Sequence, residues 1–175
     1  MGKVAKILTK DKPNKKPVKV AVQSPYKIII VVNDNNRAFD THAGLIMVSP
    51  TTFQIYDPNG SFTLLDIGGG SLNLFPVDGL QNQRNAYEAY IRFQLIDGAN
   101  VYTYKFNVSK QNFDAIETRI LEETYGGILY CSTCVSSAVA GIGPFKTLES
   151  GIFLPSNLKK AMDKLAMPVR MVEAR

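Results

Sequence analysis

Two cysteines and a single histidine are the residues of this chain best suited to nucleophilic chemistry. Cys131 and Cys134 lie in "ILYCSTCVSSAVAGIG" (128–143), where an apolar stretch changes into a helical pattern. A helix N-terminus presents free N–H groups and the positive end of the helix dipole, and both stabilise a thiolate. Because Cys131 falls where the helix is predicted to begin, it is the candidate nucleophile.

The second thiol has a different expected role. Cys134 begins an apolar stripe at helical spacing, which is predicted to pack on a sheet; its other members are Val135, Ala138, Val139 and Ile142. Unpaired cysteine behaves as a small hydrophobic residue and is often fully buried. Two alternatives stay open at this stage: both thiols are inert core residues, or Cys134 rather than Cys131 is the nucleophile.

The histidine is placed where it can serve as the base of a thiol nucleophile. His42 opens the apolar strand "HAGLIMV", after a polar loop. Imidazole is the usual base for such a nucleophile near neutral pH. If Val48 faces Phe53 across the turn "SPTT", His42 lies opposite residues 57–59, and cross-strand neighbours are about 5 Å apart.

A third residue must orient the imidazole. Asp57 is the predicted acceptor, with Asn59 and Gln54 in reserve because the register is uncertain by a residue or two. A purely structural reading also exists for each group. His42 can be a hydrogen-bonded strand-end histidine, and Asp57 can serve the turn "DPNG".

Other chemistries fit the pattern poorly. Zinc sites usually have four ligands, whereas Cys131, Cys134 and His42 offer three at best. A thioredoxin-like redox pair needs further strands after its cysteines, and here a helical pattern and a short tail follow. "GGGS" (68–71) lacks the Gly-Lys-Ser/Thr ending of a phosphate loop. We therefore expect no metal and no cofactor.

Apolar patterns predict the strands that position these residues. Residues 26–34, 42–48 and 53–57 read as strands, the last two as a hairpin. Residues 63–86 read as an irregular insertion at the edge of the cleft. "AYIRFQLI" (89–96) and "VYTYKFNV" (101–108) flank "DGAN" and read as a second hairpin.

Helical patterns fill the rest of the chain. Ser109 is the predicted N-cap of a helix over 110–123, with one apolar face formed by Phe113, Ile116, Ile120 and Leu121. The cysteine helix runs from about Cys131 to Gly141 or Gly143, and Ser156 is predicted to cap a third helix over 157–165. Strands come mostly before helices, which predicts the α+β class.

Charge and composition bound the function. The chain has 175 residues and a net charge of +5, with seven lysines among its first 20 residues. We predict a basic flexible leader at 1–25 and one domain at 26–175. The start lacks the apolar region of a secretory signal, and no apolar run is long enough to span a membrane. Nucleic acid is not an expected partner, although a basic binding module is the non-enzyme alternative.

Four segments together resemble a known family. "THAGLIMV", "QIYDPNGSF", "YCSTCVSSAVAGIG" and "LPSNLKKAM" resemble the circularly permuted papain-like cysteine hydrolases, relatives of the NlpC-type amidases and the lecithin:retinol acyltransferase group. In that family a histidine opens a strand, a polar residue follows on the next strand, and the cysteine comes last at a helix start. The resemblance covers about residues 40–165. Cys131 and Val135 fit the family's frequent Cys-x-x-Phe-Val, with Cys134 in place of Phe.

The resemblance implies a fold, an activity and a setting. The fold is an antiparallel sheet packed against helices, with the nucleophile at a helix N-terminus. The activity is that of a cysteine protease or amidohydrolase with Cys131, His42 and Asp57 as catalytic residues. Bacterial members with similar hairpins resemble secreted toxin domains, delivered by type VI or contact-dependent routes. That setting implies a protein or peptide substrate in the target cell and an acidic immunity protein as partner.

Several substrates stay open under the same resemblance. The thiols and the lack of an export signal favour the target cell's cytosol over its periplasm. A peptidoglycan stem peptide is the main alternative substrate. Glutamine deamidation and acyl transfer use the same three groups and remain open too.

Overall fold

The computed structural model describes residues 24–34, 42–58, 60, 62, 73–76, 79–96, 100–122, 130–167 and 169–171. The predicted leader at 1–25 lies outside these residues except for its last two. Ser24 already contacts the domain, since its Oγ donates to the carbonyl oxygen of Val108.

One antiparallel sheet organises the described residues. Its six strands are, in chain order, β1 (Tyr26–Asn33), β2 (His42–Val48), β3 (Thr52–Tyr56), β4 (Asn73–Pro76), β5 (Val101–Val108) and β6 (Val169–Met171). Their order across the sheet is β4-β3-β2-β1-β5-β6. Val48 pairs with Phe53, which confirms the predicted hairpin register.

In the described part of the chain, four α-helices cover the two faces of this sheet. They are α1 (Leu80–Ile96), α2 (Lys110–Glu122), α3 (Cys131–Val139) and α4 (Pro155–Asp163). On one face, alternate residues of β1 and β2 pack in one apolar cluster with α2, α3 and α4. On the other face, the intervening residues pack with α1. Both β1 and β2 are buried on both faces, which explains their continuous apolar sequences.

The prediction for residues 63–96 is wrong wherever the structure describes them. Residues 73–76 form a strand that pairs with β3, and residues 80–96 form α1 rather than a loop followed by a strand. The buried residues Ala86, Tyr90 and Gln94 recur every four positions, the period of a helix. Aromatic and β-branched residues at 90–93 favoured a strand, but packing of this face on the sheet overrides that propensity.

The predicted second hairpin is wrong for the same reason. β5 pairs with β1 on one side and β6 on the other, both antiparallel, and not with residues 89–96. The prediction of an α+β fold is confirmed by this six-stranded sheet and its helices. No helix among the described residues is long and apolar enough to cross a bilayer.

The other helices agree closely with their predicted bounds. Ser109 Oγ accepts the N–H of Asn112 at 3.2 Å, as an N-cap does. Leu121 was predicted to be on the buried face but is 64% exposed. Ser156 is not the cap of α4, since that helix begins at Pro155. The fixed φ of proline suits the first helical position, which explains the earlier start.

One side chain ties α2 to the end of the cysteine helix. The guanidinium of Arg119 donates to the carbonyl oxygens of Ala140 at 2.6 Å and Ser137 at 3.3 Å. We expect Arg119→Ala to lower the free energy of unfolding by about 1 kcal/mol, because charge-assisted bonds to helix C-terminal carbonyls are lost. Urea denaturation measures this change.

Lys110→Ala is the control on the same helix. It removes an exposed ion pair with Asp114 that does not contact α3. An Arg119→Ala loss no larger than the Lys110→Ala loss would contradict the tie between the two helices.

Candidate active site

The imidazole and its predicted acceptor meet at one end of the sheet. His42 is the first residue of β2, and Asp57 directly follows the last residue of β3. Because the two strands are antiparallel neighbours, both positions lie at the same end of the hairpin, where His42 and Asp57 are diagonal neighbours. His42 Nε2 and Asp57 Oδ1 are 2.7 Å apart. The predicted pair is therefore formed, and the carboxylate side chain is only 2% exposed.

The Asp57 carboxylate receives several donors. Tyr90 donates its hydroxyl to Oδ1 at 2.7 Å, and the backbone N–H of Phe62 donates to Oδ2 at 3.3 Å. Gln94 Nε2 lies 3.5 Å from Oδ1. Burial alone would raise the pKa of Asp57, but the hydrogen bond and charge of His42, with the bonds from Tyr90 and Phe62, lower it below its usual value.

Asp57 also takes part in the turn that follows β3. Its two predicted roles, as acceptor for the imidazole and as a turn residue, are therefore compatible. Its carbonyl oxygen accepts the N–H of Gly60 at 2.9 Å. A Cβ at Gly60 would lie within 2 Å of the Asp57 carboxylate, so only glycine fits there. The turn brings the chain back to the carboxylate, which lets the Phe62 N–H reach it.

Tyr90 is the member of this site that sequence reasoning missed. It lies on α1, fully buried, and burial together with the Asp57 charge raises the pKa of its phenol, which keeps it a donor. A Cβ at Gly44 would lie 1.9 Å from the Tyr90 hydroxyl oxygen. The one available signal was Gly44 inside an apolar strand, since such a glycine often marks a close approach of another group.

Cys131 comes to the same point from the other face of the sheet. It is the first residue of α3 and is 6% exposed. Burial alone would raise the pKa of its thiol. The hydrogen bond and charge of His42, with the backbone N–H groups of Ala43 and Ser132, instead lower it below 9.0. The thiolate is thus stabilised by a cation and by two fixed dipoles.

His42 joins the two acidic groups. Burial opposes the charged imidazole, but hydrogen bonds and charges of Asp57 and Cys131 raise its pKa from 6.5 to about 10. Since Nε2 bonds to Asp57, Nδ1 is the ring nitrogen left for Cys131. A thiolate–imidazolium pair held by a carboxylate follows, and such a pair supplies a nucleophile and a general acid at neutral pH.

The other predicted candidates lie elsewhere. Cys134 is 1% exposed and packs in the apolar cluster under α3. Gln54 points to α2, where its Nε2 donates to Glu117 Oε1 at 2.5 Å. Asn59 lies outside the described residues. Within the described part of the chain, no group of three or more His, Cys, Asp or Glu side chains is arranged to hold a metal.

The first prediction at this site concerns the protonation of Cys131. We expect alkylation of Cys131 by iodoacetamide to reach half its maximal rate below pH 9.0, because the imidazolium stabilises the thiolate. His42→Ala should raise this midpoint, since burial then acts without the cation. Peptide mass spectrometry after timed alkylation measures both midpoints.

Cys134→Ala is the matched control for this experiment. It leaves the predicted nucleophile and both its partners in place, so the midpoint of Cys131 should not move. A wild-type midpoint at or above pH 9.0 would count against the ion pair.

The second prediction concerns the support that Tyr90 gives to Asp57. We expect Tyr90→Phe to lower the free energy of unfolding by roughly 1.5–3 kcal/mol, the usual range for a hydrogen bond to a charged group. Tyr90 helps hold the pKa of Asp57 below 3.8, so the loss should be full above that pH. This loss of stability should shrink as the pH falls through the lowered pKa of Asp57. Urea denaturation at several pH values measures this difference.

Two further variants separate this support from general packing. Tyr87→Phe, on the same helix, removes a phenol that faces Thr103 and should show no such pH dependence. Gly44→Ala should be less costly in the Tyr90→Phe background than alone, because the hydroxyl it displaces is already absent. If the losses of unfolding free energy of the two variants are additive, Gly44 is not needed to make room for the Tyr90 hydroxyl.

Comparisons of this chain with protein-family models, with curated proteins and with solved structures find no significant match. The geometry of Cys131, His42 and Asp57 is therefore the basis for its proposed function.

Proposed function

We propose that the protein is a cysteine amidohydrolase that cleaves an amide bond through Cys131, His42 and Asp57. The observation that carries the proposal is the chain of contacts from the Asp57 carboxylate to His42 Nε2, and from the imidazole to the Cys131 thiol. A base held by a carboxylate and facing a thiol at a helix start is the arrangement that nucleophilic catalysis needs.

The reaction begins from the ion pair. The Cys131 thiolate attacks the carbonyl carbon, and the electrons of the C=O bond move to oxygen. As the tetrahedral intermediate collapses, the C–N bond breaks and the amine leaves with the proton of the His42 imidazolium. The neutral imidazole then takes a proton from water, whose oxygen attacks the thioester. Breakage of the C–S bond releases the acid and restores the ion pair.

The start of α3 supplies donors for the oxyanion. The first bond of its hydrogen-bond ladder runs from the N–H of Cys134 to the carbonyl oxygen of Tyr130, at 2.8 Å. The N–H groups of residues 131–133 precede that ladder, and the Tyr130 side chain does not cap them. In this proposal the Cys131 N–H donates to the developing oxyanion, where the helix dipole also favours negative charge.

The order of the three groups along the chain supports a permuted papain-like hydrolase. His42 opens a strand, Asp57 ends the next, and Cys131 follows last at a helix start. In this proposal the domain is a bacterial toxin that is delivered into a target cell and cleaves a protein there. In this proposal an acidic immunity protein that covers the cleft between His42 and Cys131 protects the producer.

Growth of a bacterial host tests this proposal. We expect the wild-type protein to arrest growth in the cytosol, whereas Cys131→Ala and His42→Ala should not, because each removes a group that forms or breaks bonds. Asp57→Asn should weaken the arrest, since the amide keeps some of the hydrogen bonding but not the charge. Colony counts after induction measure the effect, with protein levels and circular dichroism checked for each variant.

Cys134→Ala is the control, and the compartment separates the substrates. Cys134 packs in the apolar cluster under α3 and is not the proposed nucleophile, so its variant should arrest growth like the wild type. Arrest only with an export signal would point to a peptidoglycan stem peptide instead of a cytosolic protein. Equal growth of wild type and Cys131→Ala in both compartments would refute the toxin activity.

A further inference from the structure

Exposed aromatic and aliphatic side chains lie beside the candidate nucleophile. Tyr130 is 42% exposed, Phe153 50% and Leu154 44%. The rings of Tyr130 and Phe153 meet edge to face, with centroids 6.0 Å apart. We call these three residues the aromatic patch. Large apolar side chains that are exposed side by side often mark a binding surface.

The patch continues into a groove. Phe153 also lines a cavity of about 440 Å³ between residues 147–153 and α4. This is within the range of small-ligand sites, roughly 300–1,000 Å³. Half of its lining residues are apolar, including Ile152, Phe153 and Leu165, and half are polar or charged, including Glu149, Asn157 and Lys160. Phe153 therefore connects the patch to a space that can accept a side chain.

The position of the patch distinguishes it from other exposed apolar residues. Leu80 and Met167 are more exposed, at 83% and 92%, but neither is next to Cys131, His42 or Asp57 in the chain. Tyr130 is the residue immediately before Cys131, so their Cα atoms are about 3.8 Å apart. A group that lies on Tyr130 is thus one residue along the chain from the candidate nucleophile, and catalysis requires that a substrate be oriented by contacts near the reacting atom.

We propose that the substrate is a polypeptide in which a large apolar side chain, aromatic or branched aliphatic, flanks the scissile amide and lies on the aromatic patch and in its groove. This inference rests on the proposed amidohydrolase function and narrows its substrate class. A peptidoglycan stem peptide, with alanine and charged side chains beside its amides, would leave the patch exposed to water. Burial of the patch by an apolar group favours a protein substrate instead.

Affinity labels that react with a thiolate test the proposal without a known substrate. The probes are N-acetyl-phenylalanyl and N-acetyl-alanyl chloromethyl ketones, and we compare their second-order rate constants at Cys131. We expect the wild type to favour the phenylalanyl probe roughly tenfold or more, a usual discrimination by an apolar site. Phe153→Ser should reduce this ratio severalfold, and Phe153→Leu should restore most of it. Leu80→Ser, on α1 at the other face, is the control and should keep the wild-type ratio.

Different outcomes overturn different claims. A wild-type ratio near one, or a ratio that Phe153→Ser leaves unchanged, overturns the substrate inference alone. A faster reaction with an octanoyl-alanyl probe than with the phenylalanyl probe also overturns it, in favour of an acyl chain. If His42→Ala reacts with iodoacetamide as fast as the wild type at pH 7, the proposed function fails and the substrate inference fails with it.

Discussion

The buried carboxylate of Asp57 is the constraint on which the rest of the site depends. An ionised carboxylate that is only 2% exposed needs donors around it, because an unpaired buried charge is very unfavourable. The donors come from three separate parts of the chain: His42 from β2, Tyr90 from α1, and the N–H of Phe62 from the turn after β3. Each of these lowers the pKa of Asp57 and so favours the charged carboxylate, which in turn holds the imidazolium.

The sheet gives this network its position. Its faces carry two apolar clusters, one with α1 and one with α2, α3 and α4. The site lies at the end of the sheet, where groups from both layers can meet. Tyr90 reaches Asp57 from the α1 layer, and Cys131 reaches His42 from the α3 layer. Tyr90 and Cys131 belong to different layers, so the complete site forms only when both layers pack on the sheet.

Electrostatics explain why the three groups act as one unit. Burial opposes charge on Asp57, His42 and Cys131 alike, yet each is stabilised in its charged form by its neighbour. A single cation between two anions needs further donors, which the backbone N–H groups of Ala43 and Ser132 supply at the thiol. Tyr130, the residue before Cys131 in the chain, is exposed, whereas the three charged groups are buried or half-buried.

The sequence by itself determined the features that depend on local patterns. Spacing and turn chemistry over a few residues predict the helix start at Cys131, the Ser109 cap and the Val48–Phe53 register. That register suffices to bring His42 and Asp57 together. Only the tertiary structure decided that residues 80–96 form a helix, that Tyr90 on that helix completes the Asp57 site, and that Gly44 leaves room for its hydroxyl. These features depend on contacts between residues more than 30 positions apart, for which local propensity carries no information. Burial of the Ala86, Tyr90 and Gln94 face on the sheet outweighed the strand propensity of the same segment.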